Sequence, residues 1–404
     1  MTTKKGAVMT EQVAELPDQR QQVKSKVLDG SITAISIDTC IFSRAGYRLD
    51  QGNLKRLKQF KGNAFRLIFS EVTLKEVMRH IAAHSEEEKI KFLTGLRGIA
   101  KFWSVDTAKQ AAISSDLLQG LEPKELAKKH VKDFVTRCGA HIVEAKNTLD
   151  VSDLLKCYFE TLPPFEASGD KKAEFPDAIT LLSLESWAKK ENTSVLFVTK
   201  DKGCARYCEQ SPRLFAIDDL GSALTLIQER DSHRAQMCAA IDRQIALGKY
   251  PNLLNMIESA VAEDIWSIDW IPEADAAFYY DPEMQDVEVI GVSFLSNNGS
   301  AGLQAVDYCD GALIARASIS IEIEASCNFT FSVKDGIDKD MVCVGGAEVS
   351  AKDTLNVDVL ITFLDPDGDE PEIDNVELVP ARRNIDFGSV WPDYGDEDPN
   401  SELY

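Results

Sequence analysis

The stretch Thr33-Ala34-Ile35-Ser36-Ile37-Asp38 decides the fold. It is short, rich in β-branched and apolar side chains and free of turn formers, so it reads as a buried strand that ends on an acid. Three further acids occupy comparable places. The run Phe65-Arg66-Leu67-Ile68-Phe69 passes through Ser70 into Glu71-Val72-Thr73-Leu74-Lys75-Glu76, where Val72, Glu76 and Arg79 share one helical face. Phe175-Pro176-Asp177-Ala178-Ile179 opens an apolar-periodic helix with proline near its start. That puts Asp177 in the first turn, where the helix dipole favours an ionised carboxylate. Val195-Leu196-Phe197-Val198-Thr199-Lys200-Asp201 is a second buried strand followed by an acid. Strands alternating with helices predict an α/β domain with a central parallel sheet and helices on both faces.

Open parallel sheets bind ligands outside the carboxyl ends of their strands, so Asp38 and Asp201 are expected to meet there, joined by Glu76 and Asp177 from helices. Carboxylates this close repel, and a buried one without a partner takes up a proton unless a cation neutralises it. An oxygen-only cluster suits Mg²⁺ or Mn²⁺, and phosphodiester hydrolysis is the chemistry that follows. Asp38, Glu76, Asp177 and Asp201 are thus the expected catalytic and metal-binding residues. Glu71 stands as an alternative to Glu76. Lys171, Lys172, Lys200 and Lys202 surround the third and fourth acids, while Arg44 and Arg48 follow the first; all are candidate phosphate contacts. Thr199 is a candidate for orienting water or substrate through its hydroxyl.

Taken in order, Ile-Asp-Thr at Asp38, Val-Thr-Leu-Lys-Glu-Val around Glu76, Lys-Lys-Ala-Glu-Phe-Pro-Asp-Ala-Ile around Asp177 and Val-Thr-Lys-Asp-Lys-Gly around Asp201 resemble the PIN-domain nucleases. Within that superfamily the chain resembles the bacterial PIN-like branch, over roughly residues 31 to 230. The resemblance implies a metal-dependent endoribonuclease whose acids bind one or two divalent ions and activate water for in-line attack. It also implies that Glu174, in the Glu-Phe-Pro-Asp motif, is a further metal ligand. A helical insert of about a hundred residues separates Glu76 from Asp177, longer than in compact PIN toxins. Bacterial defence is a habit of the family and rests on no residue of this chain.

At 404 residues the chain exceeds ordinary single-domain size. The net charge of −22 is unevenly placed. Residues 1–240 carry 36 Lys and Arg against 32 Asp and Glu, whereas residues 241–404 carry 8 against 34. The first part can bind phosphate locally, and the second would repel a polyanion within a Debye length. Its acidity is explained either by solubility or by a guard over the substrate site. Nine cysteines without paired spacing, no apolar leader at the N-terminus and no run of eighteen apolar residues predict a reduced, soluble, cytoplasmic protein away from membranes.

The expected organisation is a polar N-terminal tail over residues 1–30, with a short helix near Leu16–Leu28, then a PIN-like domain over 31–248. A smaller, acidic, antiparallel β-rich domain over 249–385 follows, and an acidic arm over 386–404 ends the chain. Period-two runs at Val287–Leu295, Ala312–Val333, Met341–Val349 and Leu355–Leu364, separated by Asn-Gly, Asp-Gly and Gly-Gly turns, define that β-rich part. One helix is expected from Gly221 to about Leu247. RNA is the expected substrate, with DNA also open because such attack does not require a 2′-hydroxyl. The acidic domain is expected to regulate the nuclease, to bind a protein partner or to self-associate.

Other chemistries fit less well. Cys204-x-x-x-Cys208 has no second pair to complete a zinc site, and the His80/His84 pair lacks metalloprotease flanks. No Gly-x-Ser-x-Gly elbow, Walker loop or Gly-x-Gly-x-x-Gly occurs. A haloacid-dehalogenase-type phosphatase needs a second aspartate two residues after the first, where this chain has Cys40. A catalytically inactive PIN-like scaffold acting as a binding module is the non-enzymatic alternative.

Overall fold

The computed structural model describes residues 17–165, 174–296, 299–334 and 340–393. Five parallel strands, β1 (Ile32–Ile37), β2 (Arg66–Ser70), β3 (His141–Val143), β4 (Ser194–Val198) and β5 (Leu214–Ile217), form a sheet in the order β3-β2-β1-β4-β5. The side-chain alternation of a pleated strand divides them between two cores. Ile35, Ile37, Leu67, Phe69, Leu196 and Val198 enter one, and Ala34, Ile68, Val195 and Phe197 the other. Both faces are buried, which is why these strands read as continuous apolar runs. The chain leaves β1 toward β2 and β3, then returns across β1 to β4, so the direction of winding reverses between β1 and β4. A crevice for ligands opens at such a reversal.

Helices cover the sheet as expected. The insert after β2 forms helices Glu71–Phe102, Thr107–Leu117 and Pro123–Cys138. The last begins at a proline and stops at Gly139, whose φ of 63° is a left-handed cap that glycine adopts without strain. The N-terminal helix Pro17–Leu28 buries Val23 and Val27 in the sheet's core, so this part of the expected tail is a packed cap. The helix expected from Gly221 to Leu247 is two helices, Leu220–Gln228 and Ser232–Ala246. The break follows from Asp231, whose side chain accepts from the His233 amide at 3.1 Å and caps the second helix.

Beyond it lie β6 (Asp269–Asp275), β7 (Tyr279–Phe294), β8 (Gln304–Cys309), β9 (Ala312–Lys334), β10 (Met341–Leu364), β11 (Glu372–Leu378) and β12 (Arg382–Ser389). An antiparallel sheet runs β11-β10-β9-β7, with β8 also on β9; β6 and β12 pair in parallel as a separate ribbon. Asp310-Gly311, both at positive φ, make the tight turn from β8 to β9. Gly345-Gly346, expected as a turn, instead stays paired within β10, just after a bulge at the register shift between Cys343 and Gly345. The polar stretch Ser350 to Thr354 therefore continues one long strand, because it stays paired to β9. The first residues of the expected C-terminal arm belong to β12, with Phe387 and Val390 buried; residues 394–404 lie outside the described residues. The core changes hands at the Ser232–Ala246 helix, whose Met237, Cys238, Ile241 and Ile245 pack with the antiparallel sheet.

The two halves share an interior. Val306, Ile314 and Leu360 of the antiparallel sheet are buried in the parallel sheet's core with Leu220, Leu224 and Ile227. Ionic contacts reinforce that seam. Glu377 accepts from the Gly52 amide at 2.7 Å and from the buried Arg56 at 2.8 Å, and Arg316 donates to Asp219 at 2.6 Å. Burial opposes ionisation of Asp219, yet Arg316 and Ser222 hold its carboxyl below the usual range. Gly221 has no room for a side chain, since a Cβ would collide with the Arg316 guanidinium. Leu360→Ala should cost about 2–5 kcal/mol, the range for emptying a packed leucine site. Because the lost packing is shared, urea unfolding followed separately through the two halves should shift by the same amount.

Candidate metal centre at the carboxyl edge of the parallel sheet

Ile37 and Val198 are paired across β1 and β4, so the residues that follow each strand emerge side by side. Asp38 is buried at 7% exposure and its amide donates to the Val198 carbonyl at 3.0 Å. The Thr199 hydroxyl donates to Asp38 Oδ2 at 2.6 Å and accepts from the Asp201 amide at 3.0 Å. One buried threonine thus fixes both acids at the point of reversal. Its hydroxyl, read from the sequence as facing water or substrate, is engaged within the protein. Asp201 caps the helix Lys202–Gln210, accepting from the Cys204 amide at 2.8 Å through Oδ1. Gly203 permits this approach: a Cβ there would stand 2.9 Å from the Pro164 carbonyl oxygen and 3.1 Å from Asp201 Oδ1.

Glu76 lies in the helix that follows β2, and the Thr39 hydroxyl donates to its Oε2 at 3.0 Å. Glu71 is committed elsewhere, accepting from Lys75 at 2.6 Å and from the Ala145 amide at 3.0 Å, which lowers its pKa. Between these two alternatives the geometry brings Glu76 to the cluster. Asp177 sits in the first turn of the helix Phe175–Lys190, as the proline before it implied. Burial raises its pKa to about 7, and the negative charges of Asp38, Asp201, Glu76 and Glu174 add to the effect. Asp38, Glu76 and Asp201, with Glu174 at the cap of the same helix, therefore all lie within electrostatic reach of Asp177.

The phosphate candidates are more dispersed. Arg44 ends the helix Thr39–Arg44 and is exposed, as are Lys200 and Lys202. Arg48 is turned to the second half of the chain, donating to the Trp266 carbonyl at 3.2 Å. Lys171 and Lys172 lie outside the described residues. Cys40, which sequence reasoning passed over except as a missing aspartate, lies against this centre and accepts from the Lys200 amide at 3.3 Å. Burial and the neighbouring Asp38 push its thiol up to about 12, so it stays protonated and is no nucleophile. Thr39 and Gly203 were also missed; their only signal was position, one residue after Asp38 and two after Asp201.

Among the described residues no group of three or more His, Cys, Asp or Glu side chains is set to hold a metal ion directly. The donor set nonetheless fits a hard divalent cation. It is oxygen-only, and burial together with the neighbouring negative charges keeps a proton on one of its members near neutrality. Mg²⁺ keeps several waters and needs only one or two carboxylates, so close convergence of three is not required of such a site.

The sheet order, the reversal between β1 and β4 and the helices on both faces define an α/β domain of the PIN-like class. Residues 35–203 match the PIN domain family, which supports the PIN-domain superfamily for this part of the chain. PIN domains are generally nucleases that use divalent metal ions and act on nucleic acid. Comparison with curated proteins and with solved structures finds no match. Among the described residues no helix is long and apolar enough to cross a membrane, and all nine cysteines are free.

The raised pKa of Asp177 has a consequence for stability. The unfolded chain releases this proton near the ordinary aspartate value of about 3.9, the folded chain near 7. The native state therefore binds more protons in that window, and its stability falls as pH rises through it. Metal-free protein should lose stability between about pH 4 and pH 7 in denaturant titrations, and Asp177→Asn should flatten that decline. Mn²⁺ should oppose it in the wild type, by binding the folded state.

Proposed function

We propose that the chain is a metal-dependent endoribonuclease whose centre is Asp38, Glu76, Asp177 and Asp201, with Glu174 supporting it. The observation that carries this reading is the meeting of Asp38 and Asp201 through Thr199 at the β1/β4 reversal, with Asp177 buried within reach of their charges and those of Glu76 and Glu174. Mg²⁺ or Mn²⁺, when bound, supplies a lowered pKa for attacking water and charge stabilisation for the leaving 3′-oxygen, giving 5′-phosphate ends. The chain's own part is to hold the acids in place. Thr199 fixes Asp38 and the Asp201 backbone, Thr39 fixes Glu76, and the Pro176-led helix presents Asp177. Lys171, Lys172, Lys200, Lys202 and Arg44 surround this centre in sequence and are assigned to the phosphates of the bound strand, which favour arginine and lysine. RNA is the assigned substrate and DNA the lesser one.

The acidic half is assigned a fixed structural part in the enzyme, through which it assembles or regulates the nuclease. A guard that swings away is disfavoured by the shared burial of Val306, Ile314 and Leu360. Removing residues from about 250 onward would expose that interior, so the truncated chain is expected to lose its fold and its activity together. An inactive scaffold remains the competing reading, favoured by the lack of a directly coordinating trio among the described residues.

Asp38→Asn and Asp201→Asn should each lower RNA cleavage in Mn²⁺ by about a hundredfold or more, as loss of a charge-stabilising group does elsewhere. Thr199→Val should lower it less, because both acids remain. Undiminished cleavage by the two Asp→Asn variants, or wild-type protein that neither cuts RNA nor binds Mn²⁺ in calorimetry, would remove the nuclease reading.

A further inference from the structure

The helical insert after β2 carries a face with nothing against it. In the helix Glu71–Phe102, Ala100 is buried, Leu93 and Leu96 are half-buried on the same side, and Lys89 pairs at 3.0 Å with Glu122, the cap of the helix Pro123–Cys138. By helical spacing Gly95, Gly98 and Phe102 lie on the opposite side, with Ile99 at its margin. Phe102 is 78% exposed and the adjoining Trp103 74%. The next helix, Thr107–Leu117, buries no residue, and its Ile113 and Leu117 are exposed as well. Single apolar residues on a surface need no partner, but a group of this size marks an interaction surface.

Two glycines sit in the middle of this face. Glycine inside a helix is destabilising, because it surrenders more backbone freedom than alanine does. A Cβ on Gly95 or Gly98 would meet nothing within 4 Å among the described residues, so no contact inside the chain requires their smallness. Bare backbone on the outer side of a helix lets a second helix come close, since the distance between two axes is set by the side chains at the crossing.

Charge selects the partner. Glu87 and Glu88 lie on this side of the helix about two turns before the glycines, and Lys101 follows them. The Lys101 ammonium is 5.9 Å from the centre of the Phe102 ring, which brings its charge to the same face. Glu88 meets Lys91 at 2.9 Å and Glu87 approaches His84 at 3.7 Å, both within the helix and exposed, so these bonds contribute little and can be exchanged. A copy of the helix laid antiparallel across Gly95 and Gly98 carries its own Glu87 and Glu88 toward Lys101 of the first, and the twofold axis repeats the match. Laid parallel, the two acidic stretches would meet and repel.

We propose that the chain forms a twofold dimer through the outer face of its insert helix, with Gly95, Gly98 and Phe102 at the crossing and Glu88 of each copy beside Lys101 of the other. The occupant is a second copy because the face complements itself in the antiparallel arrangement, which closes after two chains. Glu76 lies on the same helix roughly twenty residues earlier, so the contact stands about 30 Å from each candidate metal centre. The dimer uses the insert alone and requires neither the acidic half nor the nuclease reading.

The test is the mass of the full chain by sedimentation equilibrium at micromolar concentration, where wild type should be a dimer. Phe102→Glu should weaken association by about thirtyfold or more, as loss of an aromatic anchor does at other interfaces. Lys101→Glu should weaken it by about tenfold, and adding Glu88→Lys to that variant should restore it, a rescue that a role in folding alone would not give. Lysine crosslinking of a mixture of isotopically heavy and ordinary wild-type chain decides the matter without any variant: links from Lys91 of one chain to Lys101 of another are expected. A wild-type monomer, a dimer unmoved by Phe102→Glu, or mixed-isotope links confined to residues 241–404 would overturn the proposal. So would Lys101 linked only within its own chain, which would mean that another segment covers this face.

Discussion

Mutual repulsion among carboxylates is the constraint on which this molecule is organised. Asp38, Glu76, Asp177 and Asp201 come from four separate segments, and nothing in their local sequences alone would keep them near one another. The parallel sheet does so: the pairing of Ile37 with Val198 sets Asp38 and Thr199 abreast, and the helices after β2 and before β4 bring the remaining two. At Asp177, burial and then the charges of the other acids keep a proton to about neutrality. Hydrogen bonds from Thr199 and Thr39 hold the others in place against that repulsion.

Much of this was legible in the sequence because strands buried on both faces leave an unmistakable signature. Val195-Leu196-Phe197-Val198 has no polar interruption, and Asp201 is placed by where that apolar run stops. Pro176 located Asp177 in a first turn by the same kind of local rule. The ambiguity between Glu71 and Glu76 was not local. Both lie on the same helix, and only the Ala145 amide, distant in sequence, draws Glu71 away. Thr199 was flagged as a residue of interest, but its partner across the sheet could not be read from one strand.

The antiparallel half was legible in type and less so in extent. Gly345-Gly346 looks like a turn because glycine pairs usually punctuate strands, yet β9 is long enough to continue the pairing past a bulge. Val306, Ile314 and Leu360 carry no mark distinguishing a residue that packs within its own sheet from one that enters a neighbouring core.

Direct observation of a cation at the carboxyl edge tests the central claim most sharply. Crystals soaked in Mn²⁺ and measured for anomalous scattering should show a peak among Asp38, Asp177 and Asp201, with Glu76 drawn toward it, and the peak should vanish in Asp38→Asn protein. A well-occupied Mn²⁺ elsewhere on the molecule, with these four carboxylates left without metal, would contradict it.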